Sequence, residues 1–385
     1  DELQNRKLRA VVKFAYEKVP YYHKLFNSVN LNPEDVGTKE DLVKIPITNK
    51  KVLQELPISE RVAKGVDVSK CMKCRTSGST GMPLDVLLSK KEMSYRIAMH
   101  TRVYGLNLTD KKVNILDREP APPQGAPAAI FRKAKKYINR LGLWRRYYFS
   151  LFEEPCELVS KLLEIRPDVI ETQPSTMKLI LQFVREKNIN GIFPKSVFTR
   201  AELLSREDRK QIEAVFDTKL TDLYGTIEFG IVAWECEEHR GYHINSDIVV
   251  AEAIKDSQQV YGQEGQVICT DLTNYTMPFI RYALGDMVVL SKEKCRCGRN
   301  FPLIELVEGR SNDFITLPSG KVLSPVLLGL CLEKIDGINQ YKLVQEGIDV
   351  FDVRIVKGQN FKGATIEEVR EQLREILGEN AEINV

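Results

Sequence analysis

The feature that most constrains this chain is an alternation near its middle. CELVSKLLEI (156–165) is followed by DVIETQ (168–173), STMKLILQFVREK (175–187) by SVFTRA (196–201), and SREDRKQIEAVF (205–216) by KLTDLYG (219–225). The longer stretches carry helical periodicity and the shorter ones are strand-length apolar runs. Ser205, with Asp208 three residues on, is a capping-box-like helix start. Such alternation predicts βαβ units on a parallel sheet, hence an α/β fold.

The flanks extend this scheme. Residues 3–27 have a helical apolar side (Leu8, Val11, Val12, Phe14, Ala15) before VPYYHKLF, and 33–56 reads as turn plus short helix punctuated by Pro33, Pro46 and Pro57. A strand at 84–89, a helix near 90–104 and a strand VNILD (113–117) precede a Pro/Ala/Gly-rich loop, REPAPPQGAPAA (118–129). From 243 onward HINSDIVVAEAI, GQVICTDL and FIRYALGDMVVL are strand-rich with glycine turns, which predicts a smaller β-rich part. YKLVQEG and DVFDVRIV (341–356) followed by the amphipathic IEEVREQLREIL (366–377) predict a small α+β C-terminal domain.

Composition narrows the functional classes. With 385 residues the chain is long enough for two or three domains, and 43% hydrophobic with 28% charged residues is the composition of a soluble globular protein. A net charge of +3 is too small to argue for nucleic acid or a membrane surface as partner, and neither a nucleic-acid partner nor a membrane span is expected. The basic runs FRKAKKYINR (131–140) and WRRYY (144–148) fit a solvated helix face as well as a phosphate-binding patch. No apolar run approaches the ~20 residues of a membrane span. The eight cysteines read as a reduced, cytoplasmic set. The chain begins with Asp1, so the native start is expected to be missing.

RTSGSTGMP (75–83) is the first chemical motif. Gly81 is followed by Met82, so it is not a Walker loop. Its glycines permit a nest of backbone N–H groups, and Thr76, Ser77, Ser79 and Thr80 supply hydroxyl donors for phosphate oxygens. A flexible surface loop is the alternative. WECEEHRGYHIN and KCRCGR bring together Cys236, Cys295 and Cys297 with either His239 or His243. Three thiolates and one imidazole would make a closed structural zinc site; the alternative is that Cys295 and Cys297 are simply reduced thiols in a surface turn. Cys71 and Cys74 also form C-x-x-C but have no second pair, and are expected to bind no metal.

Four further islands stand out. DLYGTIEFG (222–230) places Tyr224, Gly225, Thr226 and Glu228 just after a strand, where α/β sheets bind ligands; Tyr224 suits a base and Glu228 a Mg²⁺ ion. FIRYALGD ends a strand in Asp286, suited to ribose hydroxyls, and EGRSNDF offers Arg310 beside Asp313. RAEL offers Ala201 and Glu202. Alone, each is read as an ordinary turn.

In this order the islands resemble the adenylate-forming superfamily of acyl-CoA synthetases, and within it the phenylacetate–CoA ligase family and its capsular-polysaccharide-type relatives. TSGSTGMP, YGTIE, RYALGD and EGRSND match that family's phosphate-loop, Tyr-Gly-x-x-Glu, ribose-Asp and hinge motifs; AYEKVPYYHKLF and IPITNKK resemble its N-terminal segments. The resemblance implies a large multi-subdomain N-terminal region (1–312) binding ATP and acyl substrate, and a small mobile C-terminal domain (313–385). It implies that a carboxylic acid, aryl or arylacetic as first choice, attacks the α-phosphate of MgATP, and that coenzyme A then takes the acyl group. Thr76, Ser77, Gly78, Ser79, Thr80 and Gly81 would hold the phosphates. Tyr224 and Gly225 would border adenine, with Ala201, Glu202 and Asp222 also in the nucleotide site. Thr226 would approach the α-phosphate, Glu228 would bind Mg²⁺, Asp286 and Arg310 would hold ribose, and Asp313 would be the hinge. The resemblance also favours His243 over His239 as zinc ligand.

Three departures stand out: Leu84 where many members have Lys, Ala201 where Gly is more usual, and an end at AEINV before the family's C-terminal Lys, so that a missing tail is expected. Tyr147, Tyr148, Phe149 and Phe198 are candidates for an aromatic-friendly acyl pocket. Homodimerisation is left open. The rival readings are adenylyl transfer to a non-CoA acceptor such as a deazaflavin cofactor, acyl activation in polysaccharide biosynthesis, and a non-catalytic nucleotide-binding protein.

Overall fold

The computed structural model describes residues 2–76, 84–116, 141–151, 153–310, 315–317, 322–323, 328, 332 and 335–385. The chain divides into two compact units, Asp1–Leu284 with Val288–Leu306, and Val307–Val385 with Gly285–Met287.

The alternating run folds as its pattern predicts. Strands Arg146–Ser150, Lys112–Leu116, Val169–Thr172, Ser196–Arg200 and Lys219–Thr226 pair in that spatial order, each parallel to its neighbour. Helices Pro155–Ile165, Pro174–Glu186 and Arg206–Phe216 alternate with them. The first two helices start one residue earlier than their apolar pattern, because proline occupies the first turn, where a missing N–H costs nothing. The third starts as expected: Ser205 Oγ accepts the Asp208 backbone N–H at 3.0 Å.

Strand residues alternate between two buried faces. Ile170, Val197 and Leu220 point into a core with Leu158, Leu162, Ile180 and Phe216 of those helices. Val169, Phe198 and Leu223 point the other way, toward Tyr104 of the helix Lys90–Tyr104. Apolar residues on both faces explain the near-continuous apolar strands. Tyr147 and Phe149 pack against the first of these cores. The stretch 144–148, for which a helix face was one expectation, runs instead into a strand; Arg145 and Arg146 donate to the carbonyls of Thr109 and Asp110.

Parallel order ends at Thr226. The next strand, Gly230–Glu235, returns antiparallel, and Tyr242–Ile244 and Leu303–Arg310 follow, also antiparallel. Leu303–Arg310 is followed in the sheet by Tyr282–Leu290, Glu264–Asp271, Val249–Lys255 and Gln258–Gln259, making thirteen strands among the described residues when Thr48–Asn49 is included. The expected N-terminal helix is two, Glu2–Lys18 and Pro20–Ser28, whose Leu8, Val12, Tyr22 and Phe26 pack on Val250, Leu272 and Ile280.

In the second unit, Ile338–Gln345, Val350–Lys357 and Glu382–Asn384 form a three-stranded sheet. Helix Gly363–Leu377 buries Val369, Leu373 and Leu377 against Phe351, Val353 and Ile383. The fold is therefore α/β, with a large sheet that is part parallel and part antiparallel, and a small C-terminal sheet-and-helix unit. Among the described residues no helix is long and apolar enough to cross a membrane.

Candidate functional site: a pinned turn and a thiol–imidazole cluster

Glu228 lies in the turn where the sheet changes from parallel to antiparallel. The turn is fixed from inside and outside. Thr226 Oγ1 accepts the Phe229 backbone N–H at 3.2 Å, closing it internally. Gly225 faces Gly230 across the hairpin so closely that a Cβ would sit 2.4 Å from the Gly230 carbonyl oxygen, so only glycine fits. From outside, Arg96 of the helix Lys90–Tyr104 donates to the carbonyls of Ile227 (2.9 Å) and Glu228 (2.6 Å). The Tyr282 hydroxyl donates to Glu228 Oε1 at 3.1 Å. Burial, and then the charge of Glu228, push the Tyr282 phenol well above its ordinary value, so it stays a proton donor. Phe229, Phe279 and Tyr282 form an aromatic cluster beside the carboxylate.

A buried carboxylate with one oxygen held by a neutral donor is a hard ligand of the kind Mg²⁺ takes together with substrate phosphates, so Glu228 fits that ion. Arg96 and Tyr282 carried no signal in the sequence. Arg96 is 131 residues from Ile227, and Tyr282 is 54 from Glu228.

The phosphate-loop candidate hangs from a hairpin, Met72–Arg75 with Asp85–Leu88. Thr76 closes its base: its backbone N–H donates to the Leu84 carbonyl (3.0 Å), and its Oγ1 accepts the Leu84 N–H (2.9 Å). Leu84 is buried, which gives a packing reason for leucine there. Ser77, Gly78, Ser79, Thr80 and Gly81 lie outside the described residues, as does Asp313.

Other expected residues sit as follows. Ala201 has φ +71°, a left-handed conformation that accounts for glycine being the more usual residue there. Glu202 accepts from the backbone N–H and the hydroxyl of Ser175, both at 2.9 Å, at the start of the helix Pro174–Glu186. Asp222 is buried; Thr199 donates to one of its oxygens and Tyr242 to the other. That burial pushes its carboxyl up to about 7. Tyr224 is a half-buried strand residue. Asp286 lies inside the strand Tyr282–Leu290 rather than at a strand end, and Arg310 is the last residue of Leu303–Arg310.

The second cluster is Cys236, His243, Cys295 and Cys297, whose ligand atoms all lie within 4.8 Å of one another. Cys236 Sγ is 3.6 Å from Cys295 Sγ, and Cys297 Sγ is 3.3 Å from His243 Nε2. Tetrahedral zinc with Zn–S near 2.3 Å holds thiolates about 3.8 Å apart, so the cluster has the size and donor set of such a site. His243 Nδ1 faces the Phe301 carbonyl at 3.4 Å, which leaves Nε2 toward the thiols. Burial pushes the Cys236 thiol up to about 12, so a cation is what would draw it into the thiolate form. His239 is not in the cluster; its Nδ1 faces Glu235 and Arg209. Cys71 and Cys74 join no such cluster among the described residues.

No family model matches the chain. It is 25% identical to phenylacetate-coenzyme A ligase of Thermus thermophilus, over 93% of this chain and 82% of that protein. It is 24% identical to Protein CapK of Staphylococcus aureus, over 98% of this chain and 83% of that one. Its structure superimposes on 2-hydroxyisobutyryl-CoA ligase in the postadenylation state with a TM-score of 0.81 at 20% identity, over 100% of this chain and 85% of that chain. The chain thus has the fold of the adenylate-forming CoA ligases. Within that fold its sequence is similar to those of phenylacetate-coenzyme A ligase and CapK, the relatives its motifs resemble.

Proposed function

We propose that this chain joins a carboxylic acid to coenzyme A in two steps at the expense of ATP. The acid's carboxylate oxygen attacks the α-phosphorus, the bond to the bridging oxygen of pyrophosphate breaks, and an acyl-adenylate forms. The coenzyme A thiol then attacks the acyl carbon, loses its proton and displaces AMP. The similarity to phenylacetate-coenzyme A ligase along nearly the whole chain carries this reading. The pinned Glu228 turn supports it. A carboxylate is already ionised at neutral pH, so the first step needs charge neutralisation and alignment rather than a general base.

In this reading Glu228 holds Mg²⁺, which when bound screens the triphosphate charge. Thr226 approaches the α-phosphate, Tyr224 and Gly225 border adenine with Ala201, Glu202 and Asp222 in the surrounding wall, and Thr76 anchors the phosphate loop Ser77–Gly81. Asp286 and Arg310 serve the ribose, and Asp313 serves as hinge between 1–312 and 313–385. Cys236, His243, Cys295 and Cys297 hold a structural zinc ion. An aryl or arylacetic acid is the proposed substrate, and the cytoplasm, where ATP and coenzyme A are available, the proposed location.

The test is pyrophosphate release with MgATP across aryl, arylacetic and fatty acids, with and without coenzyme A. Release that depends on one acid and turns over only with coenzyme A is the expected result. Turnover without coenzyme A overturns the second step, and no release with any acid overturns the first.

A further inference from the structure

A buried glutamate that is to meet a small, geometrically demanding cation has two requirements. Its main chain must not drift, and its carboxylate must be aimed without being neutralised. The first unit meets them with two different side chains. Arg96 grips the consecutive carbonyls of Ile227 and Glu228, which fixes the peptide plane between them. A guanidinium suits this task because its fork reaches two acceptors at once. Its charge goes to main-chain oxygens; the neighbouring carboxylates of Glu92 and Asp271 have backbone partners of their own.

Tyr282 meets the second requirement. Its hydroxyl commits Oε1 of Glu228 to one direction. A lysine or arginine there would compete with a metal ion for the same charge, whereas a phenol orients the carboxylate and brings no opposing charge. The phenol is itself fixed, since its ring packs edge-on against Phe279 at 5.1 Å and lies 6.2 Å from Phe229.

We propose that Arg96 and Tyr282 are positioning residues that present the Glu228 carboxylate to the metal of a metal–nucleotide complex. They set the gain in nucleotide affinity that the metal provides, and not the affinity for the nucleotide itself. This rests on Glu228 being the metal ligand. Mg²⁺ demands near-ideal octahedral geometry, so loosening an outer partner of its ligand is expected to cost about tenfold in metal-linked affinity.

The experiment is calorimetric titration of the full chain with α,β-methylene-ATP, with and without Mg²⁺, in the unaltered protein and in Tyr282→Phe, Arg96→Lys and Glu228→Gln. Phenylalanine keeps the aromatic cluster and lysine keeps the charge, and thermal melting confirms that each variant folds. The expected result is that Mg²⁺ tightens binding to the unaltered chain, that Glu228→Gln abolishes this gain, and that Tyr282→Phe and Arg96→Lys each cut it about tenfold with metal-free affinity unchanged. If Glu228→Gln abolishes the gain and both other variants keep it, the positioning role is overturned and Glu228 stands as the ligand. Equal weakening of metal-free and metal-bound nucleotide in the Tyr282 and Arg96 variants overturns it too, since that marks a general structural role. An undiminished gain in Glu228→Gln overturns the Glu228 assignment itself, and this inference with it.

Discussion

One six-residue strand, Gly230–Glu235, joins two unlike polar sites. Before its first residue lies the Glu228 turn, which presents a hard carboxylate oxygen and is held by Arg96 and Tyr282. After its last lies Cys236, a soft thiol whose neighbours His243, Cys295 and Cys297 are, like it, candidate metal ligands. The turn is pinned by glycine packing, an arginine on two carbonyls and a phenol. In the thiol cluster four donor groups converge on one another, with the Phe301 carbonyl facing His243 and Arg299 bonding Cys297. A site that exchanges its ion with each substrate needs its geometry built in beforehand. A closed structural site can leave that to the metal, which supplies folding energy as it binds.

The contrast can be broken most forcefully at the cysteine end. Cys236→Ser should lose bound zinc and most of the folded protein, whereas His239→Ala should keep both. Metal content by mass spectrometry alongside thermal melting decides this, and zinc retained in the serine variant would dissolve the proposed contrast.

A buried ion pair on the neighbouring strands supplies a control, since it is a charge cluster satisfied without any metal. Lys112 meets Glu171 at 2.5 Å with both side chains buried, and Arg200 reaches the other carboxylate oxygen at 2.8 Å. Burial alone would raise the Glu171 carboxyl, but Lys112 and Arg200 outweigh it and hold it at about 2. Because this folded value lies below the ordinary one, the stability Glu171 contributes is full above about pH 4.5 and is lost as pH falls toward 2. Glu171→Gln leaves Lys112 buried against a neutral partner and should cost about 3–5 kcal/mol at pH 7. It should also flatten the acid limb of the stability profile, which denaturant melts at pH 3 and pH 7 would read.

Gly225→Ala tests the turn end. The added methyl meets a backbone oxygen that cannot step aside, so a loss of roughly 1–3 kcal/mol is expected, together with weaker Mg²⁺–nucleotide binding. Unchanged stability would show that the hairpin tolerates opening, and with it the idea of a prebuilt turn would fail. Ala201→Gly should have the smallest effect and the opposite sign. Relieving the left-handed conformation of Ala201 should stabilise the chain by about 1 kcal/mol, visible as a small rise in melting temperature.

Much of the fold was legible in the sequence because its signals are local. Apolar periodicity marked four of the five parallel strands and their helices, and Ser205 marked a helix start, but the strand Arg146–Ser150 was hidden under a basic run and the change of order at Gly230 came before the expected change at 243. The thiol cluster was legible for another reason: cysteine and histidine are rare here, and four of them converging on one spot leaves few alternatives. The choice between His239 and His243 was not legible from spacing, because both lie within a few residues of Cys236. It is settled by which way strand Tyr242–Ile244 turns each side chain, with His243 facing inward and fully buried.

Glu202 and Asp222 show the limit from the other side. In sequence they are acids beside a ligand-type motif. In the folded chain one caps a helix through Ser175, and the other is shared between Thr199 and Tyr242. A carboxylate's partners depend on neighbours that a one-dimensional pattern does not carry.

By itself, then, the sequence determined the α/β class, the parallel run, the small C-terminal unit and the three thiols of the cysteine cluster, because hydrophobic period and residue chemistry act over short stretches. Only the tertiary structure decided that Arg96 and Tyr282 converge on Glu228, that Gly225 is forced by the carbonyl of Gly230, and that Ala201 sits in a left-handed conformation. Those facts depend on contacts between distant or facing segments, which exist only once the core has brought the segments together.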